Sequence, residues 1–320
     1  MAHDVVVIGA GAAGLSAALV LGRARRRVAV VDTGEPRNAP AAHMQGFLSR
    51  DGMPPAELLA AGRAEAAGCG VEFVPARVDR VDPGFTVRLS GGAALRARRV
   101  LVATGLRDEL PALPGVAERW GRDVLHCPYC HGYEVRDQPL GVLGGRPGAA
   151  EQALLLRQWS GDVVLIPYAP DRPGGPARDG GPADGAGLTG GERERLAARG
   201  VRVADGEAAR LVTAPDGRLR GVRLTDGRLI PRAAVFVRPR MVPLDGLLTG
   251  LGCVRDGNGL VTTDASGRTG VPGVWAAGNV VNPRAQVITA AGAGSAAAIA
   301  LNHDLVDEDT ALALEAHRAA

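Results

Sequence analysis

The stretch VVVIGAGAAGLSAA, residues 5–18, decides the fold. It opens with four β-branched apolar residues, which is typical of a buried parallel strand, and glycines follow at positions 9, 11 and 14. A helix-like segment comes next, and residues 27–31 predict a second strand that closes with Asp32. A strand, a G-x-G-x-x-G turn, a helix and a second strand with a terminal acid together predict an α/β unit of the Rossmann type.

Each residue of this motif has a physical role in binding a dinucleotide. Gly9 permits the tight turn, Gly11 lets the backbone approach a pyrophosphate, and Gly14 lets the helix pack on the strand. Asp32 can bind ribose hydroxyls. The spacing does not distinguish FAD from NAD.

The C-terminal region favours a flavin. Residues 273–278 predict a strand, and from about Gln286 a long helix of small residues follows. Such a helix can bring its positive N-terminal end close to a ligand. A reduced flavin, which carries negative charge, suits that position.

Composition predicts an ordinary globular protein with room for two domains. The 320 residues are 46% hydrophobic and 22% charged, with a formal net charge of +3, which disfavours disorder and nucleic-acid binding. Beyond the apolar N-terminal stretch, which the glycine motif explains, nothing is apolar for the roughly 18 residues that a membrane helix requires. Four cysteines are too few for a secreted disulfide framework, so we expect a cytoplasmic protein.

The stretch VLHCPYCHGYE, residues 124–134, contains the candidate catalytic residues, with two of the four cysteines and two of the six histidines. It could bind a metal, form a structural disulfide or pass electrons. His126 and His131 adjoin Cys127 and Cys130 directly, which is poor chelate geometry, and the sequence has no second cysteine pair, so we expect no metal. A reversible disulfide fits better, because Pro128 suits the first turn of a helix whose N-terminus would lower the pKa of Cys127.

Four segments together resemble the low-molecular-weight thioredoxin reductase family: residues 7–18, VLVATGLR at 100–107, CPYC at 127–130 and GVWAAGNV at 273–280. The resemblance spans almost the whole chain. It implies an α/β protein with two Rossmann-like, three-layer ββα domains, and a homodimer. Residues 1–113 and 245–320 would form a discontinuous FAD-binding domain, and residues 114–244 an inserted NADPH-binding-like domain that carries the cysteines.

The resemblance also assigns roles to single residues. Cys130 would face the flavin, and Cys127 would form the mixed disulfide with substrate. Asn279 stands where the family usually has aspartate, and should still bind the ribityl chain. Besides Gly9, Gly11, Gly14 and Asp32, the implied flavin contacts are Ala13, Asn38, Val78, Thr104, Gly105, Gly278, Asn279, Gln286 and Val287.

The second nucleotide motif departs from the family. In GVLGGRPGAAEQA, residues 141–153, Arg146 occupies the second glycine position, where a side chain blocks the approach of a pyrophosphate. Residues 167–187, where basic residues should hold the NADP 2'-phosphate, are instead rich in Pro, Gly and Asp and predict a flexible loop. The sequence therefore predicts weak or absent NADPH binding.

A branch of the superfamily has these properties. The FAD-dependent dithiol oxidases that close the disulfide of gliotoxin-type and holomycin-type metabolites have a loop similar to HCPYCHGYE and an asparagine that resembles Asn38. The resemblance implies oxidation of a small-molecule dithiol by O2, with Cys127, Cys130 and Asn38 in the active site and His126 or His131 moving protons. Two alternatives remain: a disulfide reductase that uses NADPH or ferredoxin, and a flavin-binding sensor without turnover.

Overall fold

The computed structural model describes residues 2–168 and 187–320, which form two compact units. Unit 1 comprises Met1–Ala39, Gly46–Arg107 and Met241–Ala320, and unit 2 comprises Pro40–Gln45 and Asp108–Arg240. Most of the predicted flexible loop, residues 169–186, lies outside the described residues.

Unit 1 is built on a sheet of parallel strands. Its strands, in spatial order, are β3 (Glu72–Pro75), β2 (Val28–Asp32), β1 (His3–Ile8), β6 (Ala94–Val102) and β17 (Val274–Ala276). An antiparallel extension, β4 (Val78–Asp82) and β5 (Thr86–Leu89), continues from β6. The helices are α1 (Ala12–Arg23), α2 (Pro55–Gly68), α7 (Gly246–Gly250) and α8 (Val287–Ala319).

The strand β1 alternates its side chains between the two sides of the sheet, as a buried strand must. Val5 and Val7 pack in one core cluster with α1 and α8, whereas Val6 and Ile8 pack in a second cluster with β5. Burial of each such side chain contributes about 1.5–3 kcal/mol. Unit 1 therefore has three layers: helices, a parallel sheet and an antiparallel sheet.

Unit 2 repeats this arrangement. Its parallel sheet is β11 (Arg202–Val203), β10 (Val163–Ile166), β9 (Leu140–Leu143), β15 (Ala234–Phe236) and β8 (Val124–Leu125). The antiparallel sheet is β12 (Ala208–Thr213), β13 (Leu219–Leu224) and β14 (Leu229–Pro231). The helices are α3 (Val116–Arg119), α4 (Pro128–His131), α5 (Ala149–Leu156) and α6 (Gly190–Ala198).

The core of unit 2 also divides between the two faces of its sheet. Leu140 and Val142 of β9 pack in a cluster with α5 and α6, whereas Leu143 and Val235 pack in a cluster with β12 and β13. A further pair of strands, β7 (Leu106–Glu109) and β16 (Arg240–Pro243), forms a two-stranded sheet. The predicted fold class, two three-layer ββα units, is confirmed. Among the described helices, none combines the length and apolar character that crossing a membrane demands.

Candidate active site

The first glycine turn follows β1 and leads into α1. Gly9 has a φ of +102°, and a Cβ there would lie 2.5 Å from the Ala103 carbonyl oxygen. A Cβ at Gly14 would collide with the Gly9 carbonyl oxygen. A Cβ at Gly11, in contrast, would meet no described atom within 4 Å. Gly9 and Gly14 are thus required by the packing of the turn itself, while Gly11 leaves open space at the N-terminus of α1.

Asp32 ends β2 beside this turn. Its Oδ1 accepts a hydrogen bond from the Ala10 amide at 2.8 Å, and its Oδ2 accepts one from the Gly34 amide at 3.0 Å. Arg63 of α2 forms an ion pair with Oδ2. These contacts fix the carboxylate at the edge of the sheet where the predicted ribose contact would lie.

Other predicted flavin contacts follow the ends of β6 and β17. The Thr104 hydroxyl donates to the Leu244 carbonyl at 2.7 Å, and the Gly105 carbonyl accepts from the Leu244 amide at 3.0 Å. Gly278 has a φ of +80°, and a Cβ there would lie 2.9 Å from the Ala13 Cβ. Because parallel strands end at one edge of a sheet, the turn residues after β1, β2, β6 and β17 lie at the same edge.

The remaining predicted contacts border the same region of unit 1. Gln286 is the N-cap of α8, and Val287 is its first residue. The Arg37 guanidinium donates to Asn279 Oδ1 at 3.2 Å, and half-buried Asn38 follows Arg37. Val78 begins β4, three positions after the end of β3.

The geometry of unit 1 fits FAD. The first turn of α1 has no acidic residue, and no described side chain caps Gly11. Its backbone N–H groups and the positive end of the helix dipole are therefore suited to a diphosphate. The open space at Gly11 matches the close backbone approach that the diphosphate requires. Gly9, Gly11, Gly14 and Asp32 would hold the dinucleotide portion of the cofactor.

The redox pair lies in unit 2, where Cys127 and Cys130 form a disulfide. Cys127 is the N-cap of the short helix α4, and Pro128 is its first residue, as predicted. The Cys130 and His131 amides donate to the Cys127 carbonyl at 3.1 and 3.2 Å. Both cysteines are half-buried. The turn thus brings together the sulfurs of two cysteines that are each partly exposed, as suits thiol exchange.

The His126 ring contacts the backbone just after β15. Its Nδ1 lies 3.2 Å from the Val237 carbonyl oxygen. Since a carbonyl oxygen only accepts hydrogen bonds, Nδ1 carries the proton in the neutral ring. Nε2 then carries the lone pair, and the neutral imidazole can accept a proton at that atom.

Gln152 of α5 is a positioning residue that the sequence analysis missed. It is 4% exposed, and its Nε2 donates to the His126 carbonyl at 2.6 Å. This hydrogen bond fixes the backbone immediately before Cys127. Nothing in the sequence separated Gln152 from an ordinary helical glutamine; only its position in the helix after the second glycine motif offered a signal.

His131 ends α4 beside Cys130. Burial lowers the pKa of its imidazole below the ordinary value, because desolvation disfavours the charged form, and the Glu134 carboxylate partly opposes this shift. His131 is therefore a neutral group near the disulfide at neutral pH.

Two exposed tyrosines lie in and beside the redox turn: Tyr129 stands between the cysteines, and Tyr133 follows Cys130 by three positions. Tyr129 and Tyr133 are 64% and 63% exposed, although the sequence is only 3% aromatic. The Tyr129 ring meets the Trp159 ring edge to face at 5.6 Å, and the Arg136 guanidinium lies 4.0 Å from the centre of the Tyr133 ring. These rings give the surface beside the disulfide an aromatic character.

Two arginines lie at the second nucleotide motif. Arg146 occupies the glycine position identified from the sequence. In addition, Gly148, the N-cap of α5, lies against Arg238: a Cβ at position 148 would lie 2.8 Å from the guanidinium carbon. The sequence analysis missed Arg238, which follows β15 and lies ninety positions from Gly148 in the chain. The guanidinium lies at the helix end where a pyrophosphate would need to approach.

The predicted residues divide between the two units. The glycine-motif residues, Asp32, Asn38 and the other predicted flavin contacts lie in unit 1, whereas the two cysteines and the two histidines lie in unit 2. Across residues 2–168 and 187–320, no group of three or more His, Cys, Asp or Glu side chains is arranged to hold a metal ion.

Comparison with known proteins identifies the family. Residues 3–295 match the family profile described as "Pyridine nucleotide-disulphide oxidoreductase". The chain belongs to this family. The thioredoxin reductase-like members of this family are flavin-dependent redox enzymes.

Relatives of this family match nearly the full chain. Thioredoxin reductase sirT of Leptosphaeria maculans is 31% identical over 96% of this chain and 96% of its own. Thioredoxin reductase of Streptomyces coelicolor is 31% identical over 93% of this chain and 92% of its own. The chain in the crystal structure of HlmI is 61% identical in sequence and superposes with a TM-score of 0.92, covering 99% of this chain and 97% of that one. The family member described here is thus a thioredoxin reductase-like oxidoreductase.

Proposed function

We propose that the protein is an FAD-dependent dithiol oxidase that closes a disulfide in a small-molecule dithiol, with O2 as the final electron acceptor. One observation carries the proposal: an intact Cys127–Cys130 disulfide stands in the same unit as a nucleotide motif in which Arg146 replaces a glycine and Arg238 lies against Gly148. The first feature supplies thiol chemistry, and the second disfavours NADPH as the electron donor. The similarity to thioredoxin reductases supports the thiol–disulfide chemistry.

The cysteines carry the exchange. A substrate thiolate attacks Cys127 Sγ, the Cys127–Cys130 bond breaks, and Cys130 leaves with the electron pair. The second substrate thiolate then attacks the substrate sulfur of the mixed disulfide, which expels Cys127 and leaves the substrate as a disulfide. Two electrons and two protons pass from the substrate to the enzyme dithiol. His126 Nε2 accepts the proton of the attacking thiol, since its Nδ1 is held by Val237.

FAD, when bound, supplies a two-electron acceptor for the enzyme dithiol that O2 can reoxidise. We assign FAD binding to residues 1–113 and 245–320, and the redox pair to an inserted domain of residues 114–244. Asn38 and the predicted contacts of unit 1 would orient the cofactor. We further propose a cytoplasmic homodimer, because four cysteines in 320 residues suit a reducing compartment and the family resemblance implies a dimer.

Anaerobic flavin bleaching tests the proposal. Purified protein loaded with FAD is mixed with excess dithiothreitol, excess NADPH or reduced ferredoxin, and the flavin band at about 450 nm is followed. We expect bleaching by the dithiol alone, with full recovery on admission of air. Rapid bleaching by NADPH would make the protein a reductase, and bleaching by reduced ferredoxin but not by dithiol would make it a ferredoxin-dependent reductase. No bleaching by any donor would indicate a flavin-binding sensor.

Restoring space in the second nucleotide motif should require two changes. We expect Arg146→Gly alone to bind NADPH no better than wild type, because Arg238 still lies against Gly148. The Arg146→Gly/Arg238→Ala double variant should bind at least about tenfold more tightly, or roughly 1.4 kcal/mol. NADPH fluorescence titration of the wild type, both single variants and the double variant measures this. Tight binding by Arg146→Gly alone would mean that Arg238 is no obstacle.

The assignment of the base to His126 has its own test. We expect His126→Gln to slow dithiol-driven bleaching about 100-fold, because the proton acceptor at Nε2 is lost. His131→Gln is the matched variant on the other side of the cysteines and should slow it less. Stopped-flow absorbance under anaerobic conditions gives both rates. A large loss in His131→Gln with little change in His126→Gln would transfer the role to His131.

The lowered pKa of His131 predicts a pH dependence of stability. The unfolded state, with a pKa near 6.5, takes up a proton more readily than the folded state, in which burial lowers the pKa. The stability contributed by neutral His131 is therefore present above pH 6.5 and lost as the pH falls towards the folded-state pKa. Thermal unfolding of the wild type and His131→Gln from pH 8 to pH 5 should show the wild type losing more. Parallel curves would contradict this prediction.

A further inference from the structure

Asn279 makes contacts that an aspartate cannot make. It lies in the single helical turn Gly278–Val280 after β17, and its side chain is half-buried. Its Nδ2 donates to the carbonyl oxygens of Asn282 and Ala285, each at 3.0 Å, and a third carbonyl, that of Pro283, lies at 3.5 Å. Its Oδ1 accepts from Arg37 at 3.2 Å.

These neighbours specify an amide. A primary amide nitrogen has two hydrogens, and Asn282 and Ala285 accept both of them. With carbonyl oxygens on one side and a guanidinium on the other, only one orientation of the amide satisfies every partner. A carboxylate would pair with Arg37, but its second oxygen would face carbonyl oxygens without a hydrogen to share.

The amide therefore joins two segments to the end of β17. On one side, the turn of residues 282–285 leads into Gln286, the N-cap of α8, whose carbonyl accepts from the Ala290 amide at 2.8 Å. On the other side, Arg37 directly precedes Asn38. Both segments carry residues that we assign to flavin binding.

We infer that Asn279 is an amide-specific positioning residue, which holds the N-terminus of α8 and the loop around Arg37 and Asn38 in one arrangement. The inferred effect of Asn279 on flavin binding rests on the proposed function, whereas its inferred effect on the stability of the apoprotein does not.

The isosteric variant Asn279→Asp tests the inference, because it replaces the donor amide with a carboxylate of the same shape. In the apoprotein we expect the unfolding temperature to fall by about 4 °C, as for the loss of two hydrogen bonds to the backbone. The dissociation constant for FAD should rise about tenfold, with a shift in the visible band of the bound flavin. Asn302→Asp is the matched control: among the described residues the Asn302 side chain accepts from Arg26 Nε at 2.7 Å and donates to none, so a carboxylate there should keep wild-type stability and flavin affinity.

Asn279→Ala keeps the test decisive if the aspartate variant does not fold. It removes the donor without adding charge, and we expect the same fall in unfolding temperature. Wild-type stability of either variant in the apoprotein, or FAD binding by Asn279→Asp as tight as that of the wild type, would overturn the inference. If the wild type itself takes up no FAD, the proposed function fails, while the melting temperatures of the apoproteins still decide the role of Asn279 in the fold.

Discussion

Cys130→Ser is expected to abolish dithiol oxidation, with a loss of more than about 1,000-fold, while the protein remains yellow with bound flavin. The variant keeps Cys127 but cannot form the internal disulfide, which is the electron acceptor in our scheme. Cys127→Ser should have the same effect because no sulfur remains for substrate attack. Oxygen consumption with dithiothreitol measures turnover, and absorbance at about 450 nm measures flavin content.

Cys69→Ser is the matched control for these variants. Cys69 is a free, half-buried cysteine that follows α2, and neither the disulfide nor our scheme uses it. The control should turn over at the wild-type rate. Retained turnover in Cys130→Ser would exclude the Cys127–Cys130 pair as the electron carrier and leave direct reaction of substrate with flavin.

The sequence predicted those features that depend on local backbone requirements. The turn after β1 was predictable because Gly9 and Gly14 leave no room for a side chain, which constrains the sequence directly. The start of α4 was predictable for a similar reason, since proline is favoured in the first turn of a helix, where Pro128 stands. Burial of β1 on both faces was predictable from its continuous apolar run, which precedes the glycine turn.

Features that depend on contacts between distant segments were not predictable. Arg238 reaches Gly148, and Gln152 holds the His126 carbonyl, through the packing of strands and a helix of unit 2. Neither residue type indicates such a contact. Asn279 is a different case, because the contacts of its amide nitrogen lie within one turn: the sequence showed a missing charge, whereas the structure shows an amide that donates to the Asn282 and Ala285 carbonyls. Hydrogen bonding across a turn adds information that a motif comparison lacks.

Alanine substitutions in the first glycine motif should separate folding from flavin binding. Gly14→Ala places a methyl group against the Gly9 carbonyl, and backbone cannot move aside as a flexible side chain can, so we expect a loss of about 3 kcal/mol in unfolding free energy. Gly11→Ala meets no described atom within 4 Å, and its φ of −73° suits alanine, so the apoprotein should keep its stability. Its methyl group should nevertheless obstruct the diphosphate and weaken FAD binding at least about 100-fold, or roughly 2.8 kcal/mol.

Two glycines of α8 extend this separation to the helix packing. A Cβ at Gly294 would collide with the Ala13 carbonyl of α1, whereas a Cβ at Gly292, two positions earlier, would meet no described atom within 4 Å. Gly294→Ala should therefore lower the unfolding free energy of the apoprotein, while Gly292→Ala should raise it by the roughly 0.5–1 kcal/mol that alanine gains over glycine in an exposed helix. Denaturant unfolding of the apoproteins measures their stability, and fluorescence titration with FAD measures flavin affinity separately.

If Gly11→Ala bound FAD as the wild type does, the diphosphate would not lie at the N-terminus of α1, and the placement of the cofactor in unit 1 would be wrong.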